Sequence, residues 1–179
     1  MTRTTYYSLF DSPLGEICLE GDGLRLSGLH LAEHRHWRGL DPQWIRHDEP
    51  FARVRGQLTE YFAGQRQTFD LELHCAGTPF QQRVWQELCR IPFGTTISYA
   101  QLASRIERPT ASRAVGHANG RNPVSIIVPC HRVIGADGSL TGYGGGMECK
   151  RWLLDWERRV LGEATPRPQK MLPALQGIV

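Results

Sequence analysis

Cys130, His131 and Arg132 stand in a row and set a nucleophile beside a base and a cation. Cysteine reacts as its thiolate, and an unperturbed thiol, with a pKa of about 8.5, is only slightly ionised at neutral pH. A neighbouring imidazole can take the proton, directly or through a water. A Cys-His dipeptide is common by itself. This one follows residues 124–128, Val-Ser-Ile-Ile-Val, whose β-branched content reads as a short buried strand stopped by Pro129. A thiol leaving a strand end is held by backbone geometry. Cys18, Cys75, Cys89 and Cys149 form no C-x-x-C pair, and five cysteines is an odd number. The set reads as free thiols in a reducing compartment, with Cys89 and Cys149 structural because no candidate base adjoins them.

Glu157 is the second chemical clue. Residues 152, 153, 156 and 160 (Trp, Leu, Trp, Val) give the last helix an apolar face, and the i±3 and i±4 neighbours of Glu157 are Leu154, Val160, Leu153 and Leu161. A carboxylate with no local cation either snorkels to water or finds a partner elsewhere. A His such as His131 would complete a Cys–His–Glu relay. Residues 111–120 hold Ala111, Ser112, Ala114, Gly116, Ala118 and Gly120, with Arg113 rising among them. Small residues permit close packing on another helix. They also make a helix thin enough for a DNA minor groove, with Arg113 as an inserted probe. Residues 135–146 carry six glycines, four of them around Tyr143, a loop able to approach a flat ligand or simply a flexible connection. The loop lacks GxGxxG, which argues against a dinucleotide site.

These groups need elements to hold them. Residues 6–10 and 16–20 alternate around the turn DSPLG as a hairpin, and 24–31 reads as a third strand. Apolar spacing predicts a helix over 51–62, and alternation predicts a strand over 67–73. Thr78 and Pro79 open a helix that ends near IPFG, and Ser98 to Gln101 is a capping box for a short helix to about residue 106. Thr110 is the expected N-cap of the helix 111–120, and the pair forms a helix-turn-helix outline. The expected class is therefore α+β. A small N-terminal α/β domain, a three-stranded antiparallel sheet plus helix over 1–73, precedes a mostly helical domain over 79–161 and an extended tail over 162–179.

The chain has 179 residues, 40% hydrophobic and 22% charged, which suits a globular protein and argues against disorder. No run is apolar enough to cross a bilayer or to serve as a signal peptide, so the expected location is cytoplasmic with no membrane partner. The net charge of +3 is uneven. Residues 1–73 hold 8 Arg against 11 acidic residues, and residues 79–161 hold 11 Lys and Arg against 6. A basic half on an acidic half suits a polyanion, and Arg forks suit phosphates and base edges.

The run from Asn122 through Pro129, Cys130, His131 and Arg132, with TGYGGG at 141–146 and RWLLDWE at 151–157, closely resembles the O6-alkylguanine-DNA alkyltransferases. PFQQRVWQELCRIPFGTTISYAQLA and SRAVGHANGRNP resemble the same family in order. The resemblance implies that Cys130 accepts the alkyl group, that His131 is its water-mediated base and that Glu157 polarises His131. It makes Asn122 the tie between the helix-turn-helix and the active-site strand. Arg113 becomes the finger that fills the stack when the nucleotide flips out, on a helix whose Ser112, Ala114 and Gly116 face DNA. Tyr99 would crowd the flanking phosphate and donate to the departing guanine. Tyr143, Gly144 and Val133 would line the base pocket. Many relatives carry Ser after that Tyr; Gly144 leaves only backbone N–H groups there. Some members hold zinc, but Cys18, His30, His34, His36, His74 and Cys75 fit no standard spacing, so neither metal nor cofactor is expected.

The implied partner is double-stranded DNA containing O6-alkylguanine, met by a monomer that can associate along the duplex. The implied reaction is one irreversible transfer per molecule, extending to O4 of thymine, because the thioether product offers water no carbonyl. Two other readings stay open: a lesion-binding protein without chemistry, which needs no thiol at 130, and a Cys-His hydrolase, which needs an oxyanion hole and turns over.

Overall fold

The computed structural model describes residues 4–32 and 34–163. From residue 164 on, the expected tail lies outside them.

Strands β1 (Tyr6–Ser12) and β2 (Gly15–Gly21) pair as the expected hairpin, with Ser12 opposite Gly15. The turn needs a glycine, since residue 15 has φ +91°. Strand β3 (Leu26–Leu31) continues the sheet antiparallel. The expected three-stranded sheet has a fourth member, β4 (Ile45–Arg46), parallel to β1, and the order is β3-β2-β1-β4. Two residues are too few for alternation to show. Ile17, Leu19, Leu29 and Leu31 enter one core with Leu58 and Tyr61 of helix α1 (Ala52–Phe62).

The strand expected over 67–73 does not form. Gln57 takes the place of a ladder partner: its side chain donates to Asp70 O and accepts from Asp70 N, both at 2.9 Å. Only Leu73 bridges to the sheet, at Leu26.

Helix α2 (Pro79–Leu88) starts at the Thr78 capping box, and α3 (Tyr99–Arg105) starts at the Ser98 box. Helix α4 (Ser112–Gly120) begins after Ala111, not at Thr110. The amide of Ala111 closes a turn onto Arg108 O at 2.8 Å, which leaves Thr110 inside the turn with no helical N–H to cap. Two short parallel strands, β5 (Ile97–Ser98) and β6 (Val133–Ile134), join the α3 entry to the segment after Cys130. Helix α5 (Met147–Val160) buries Trp152, Leu153, Leu154 and Glu157.

Residues 124–128 are buried as expected but are not a strand. Val124 bridges to Leu29, and then the chain coils: Ile127 N reaches Ser125 O at 2.8 Å and Val128 N reaches Val124 O at 3.0 Å. Ile126 sits at φ +71°, a strained place for a β-branched residue. Burial on all sides gives a coil the composition of a central strand.

Candidate active site

Cys130 opens a single 3₁₀ turn, Cys130–Arg132, rather than leaving a strand. Its neighbour Asn122 fixes the coil before it. The Asn122 amide donates to Val128 O at 2.7 Å and lies 3.0 Å from Cys130 Sγ, while its carbonyl accepts from Val124 N at 3.0 Å. Asn119 of α4 donates to Cys130 O at 3.2 Å. Two asparagines thus hold the thiol by both its sulfur and its backbone. Burial pushes the thiol pKa up to about 11, against the pull of Asn122, Lys150 and the local amides of residues 130 and 131. The resting sulfur is a protonated thiol, and reaction requires a base.

His131 is fully buried and its Nε2 lies 2.8 Å from Glu157 Oε1. Arg132 grips the same carboxylate, with Nη2 at 2.8 Å from Oε1 and Nε at 3.0 Å from Oε2. Tyr61 donates to Oε1 at 2.9 Å and the amide of Gly94 to Oε2 at 2.8 Å. Burial alone would protonate Glu157. The His131 and Arg132 contacts win and hold it well below the usual carboxylate range. An ionised carboxylate only accepts, so Nε2 carries the His131 proton. The other ring nitrogen, Nδ1, is buried with no protein partner. Burial also lowers the His131 pKa, the Glu157 charge opposing it. A neutral imidazole with a vacant acceptor therefore stands next to a neutral thiol in sequence.

Sequence reasoning brings Cys130, His131, Glu157 and Asn122 together but misses Arg132, Tyr61 and Lys150 as parts of the cluster. Lys150 is fully buried on α5, donates to Thr141 O at 2.7 Å and to Val133 O, and lies over the Tyr99 ring. Burial lowers its pKa to about 8. Its signal was rarity, since it is one of two lysines in the chain.

Tyr99 is half-buried, and its hydroxyl donates to Thr141 O at 2.7 Å. Tyr143, Gly144 and Val133 are buried. Cys130 is 2% exposed, so its sulfur is closed to solvent in this structure. A cleft of about 430 Å³ borders Arg132 but not Cys130. On α4, Arg113 and Ala114 are exposed, and Ser112 and Gly116 are partly so. A Cβ on residue 116 would meet the Tyr99 ring only at 3.6 Å, ordinary contact. Close helix packing thus does not demand that glycine. Among the described residues, no group of three or more His, Cys, Asp or Glu is placed to hold a metal, and no helix is long and apolar enough to cross a membrane.

Comparison with known proteins gives one answer. Residues 79–159 match the family described as 6-O-methylguanine DNA methyltransferase, DNA binding domain, and residues 5–75 match its ribonuclease-like domain. A methylated-DNA–protein-cysteine methyltransferase of Mycobacterium bovis is 49% identical over 153 residues, covering 86% of this chain and 92% of that protein. Its counterpart in Methanosarcina acetivorans is 46% identical, covering 85% and 97%. The Mycobacterium tuberculosis OGT, solved in complex with DNA, superposes with a TM-score of 0.81 at 49% identity, covering 87% of this chain and 94% of that one. The chain belongs to the 6-O-methylguanine DNA methyltransferase family.

Proposed function

We propose that this protein repairs DNA by transferring an alkyl group from O6 of guanine to Sγ of Cys130, once per molecule. O4-alkylthymine is a second substrate of the same chemistry. The observation that carries the reading is the buried relay: a thiol held by Asn122, and a neutral His131 whose Nε2–H is committed to Glu157. That commitment leaves Nδ1 to accept the thiol proton through one water. The S–C bond forms as the C–O6 bond breaks, and the electron pair of the broken bond stays on the guanine. Tyr99, released from Thr141, donates to that guanine as charge develops. Imidazolium formation is favoured by the ionised Glu157.

The target base must be extrahelical to meet Sγ. Flipping costs a few kcal/mol. Arg113, exposed on α4, fills the vacated stack, while Ser112, Ala114 and Gly116 let the helix approach the groove. Phosphate contacts offset the cost and make binding salt-dependent. DNA binding is in keeping with the DNA complex of the M. tuberculosis relative. Two units, residues 1–73 and 79–161, divide the labour: the second carries thiol, helix and loop, and the first supports them. The protein acts as a monomer in the cytoplasm and uses no cofactor.

The flipping role separates cleanly by substrate. Arg113→Ala should slow repair of O6-methylguanine in duplex DNA by tenfold or more, the factor for about 1.4 kcal/mol of lost stacking, and leave attack on free O6-benzylguanine unchanged. Equal losses on both substrates would remove Arg113 from flipping.

A further inference from the structure

The loop that carries Tyr143 is touched by a residue that the reaction above does not use. His34 lies just after β3, in the N-terminal half, and is buried. A Cβ on Gly144 would sit 2.6 Å from His34 Nε2 and 3.0 Å from Gly120 O, so the imidazole and the end of α4 together fill the space of a side chain at 144. The next residue completes the grip, since Arg35 N donates to Gly144 O at 2.7 Å. Gly145 is pressed from the same side, where its Cβ would meet Leu31 Cδ1 at 2.6 Å. His34 itself is rigidly set. Its Nδ1 accepts from the amide of His36 at 3.3 Å, and His30 packs edge-on at 6.4 Å. Burial beside His30 and His36 keeps the ring neutral, with a pKa pushed down to about 4. With Nδ1 accepting, the single ring proton sits on Nε2, the nitrogen that faces Gly144.

We propose that His34 is a positioning and specificity-determining residue for the Cys130 site, a latch from the N-terminal half that holds residues 141–146 over the thiol and limits how far they open. The inference rests on the alkyl-transfer reading for its purpose but not for its test. The loop packs on the end of α4 that holds the thiol: a Cβ on Gly144 would meet Gly120 O at 3.0 Å, a Cβ on Gly120 would meet Gly142 O at 3.7 Å, and Asn119 beside it donates to Cys130 O at 3.2 Å, with Tyr143 of the loop buried. Loop position therefore decides both access to Sγ and the size of the group admitted beside it.

The test is alkylation of the full-length protein by iodoacetamide at mildly alkaline pH, read by peptide mass. Cys18 and Cys149 are also buried and report any general loosening. His34→Ala should react at Cys130 about fivefold faster than the parent, the factor for about 1 kcal/mol of lost packing against the loop, with Cys18 and Cys149 unchanged. The same variant should favour O6-benzylguanine over O6-methylguanine by a similar factor. Equal Cys130 rates, or acceleration at all three cysteines together, would overturn the latch. Should His34→Ala fail to fold, His34→Asn, which withdraws the ring from Gly144 while keeping a polar side chain, should also speed Cys130 labelling; an unchanged rate there overturns the proposal. If the unmodified protein takes no alkyl group from DNA, the functional reading fails while the labelling result still judges the latch.

Discussion

The carboxylate of Glu157 holds four groups in place at once: a histidine ring, a guanidinium, a phenol and a backbone amide. Its charge is what lets His131 accept a proton in a place where burial disfavours imidazolium. Glu157→Gln should lower the His131 pKa further and slow alkyl transfer by about 10²–10⁴, the range for losing general-base help. Arg132 would be left buried without its counter-ion, so stability should fall by about 3–5 kcal/mol. The pH dependence has a definite sign. The pKa of Glu157 is depressed on folding, so its contribution to stability is present above its ordinary value of 4.5 and is lost as pH falls below that. The lowered His131 pKa keeps the base neutral below the ordinary imidazole value of 6.5, so transfer persists there and fades only under more acid conditions. Single-turnover rates and urea melts across pH check both statements. A Gln variant as fast as the parent would detach Glu157 from the relay.

At the scale of elements, the helix starts were the most legible feature. Thr78 and Ser98 each cap three residues ahead onto a glutamine, and both boxes form as the spacing predicts. The Ser98 cap bears on the proposed chemistry, because Tyr99 is the first residue of α3. Ser98→Ala should cost about 1 kcal/mol of stability. It should also slow transfer more than Thr78→Ala, whose helix start carries no proposed substrate contact. Thermal melts and transfer rates of the two variants decide this, and equal effects would separate the cap from Tyr99. The strand readings at 67–73 and 124–128 failed for related reasons. In each segment one amide side chain takes a place that a ladder partner would hold, Gln57 at Asp70 in the first case and Asn122 at Val124 and Val128 in the second. Nothing in the alternation of apolar residues announces such a substitute partner. Glu157 was legible because its helical neighbours are all apolar. Tyr61 was not, because it lies 96 positions away and reads as ordinary core.

Across the whole molecule, the two halves meet at the site rather than beside it. Tyr61 and Arg35 come from the N-terminal half and bond to Glu157 and Gly144 of the other. The Val124 coil bridges to Leu29 of the N-terminal sheet, and Leu29 N donates to Pro123 O at 2.9 Å. The asymmetry of charge fits this division, an acidic support carrying a basic half suited to DNA. A sequence read element by element shows the thiol, the helix and the loop, but not that the support reaches into them. The central claim is that Sγ of Cys130 becomes the permanent home of the alkyl group. Mixing the protein with an excess of duplex carrying O6-methylguanine and weighing its peptides tests this most directly. The account predicts one added methylene on the Cys130 peptide, one per protein molecule, with unmodified guanine restored in the DNA. Restored guanine beside an unmodified Cys130 peptide, with continued turnover, would contradict it.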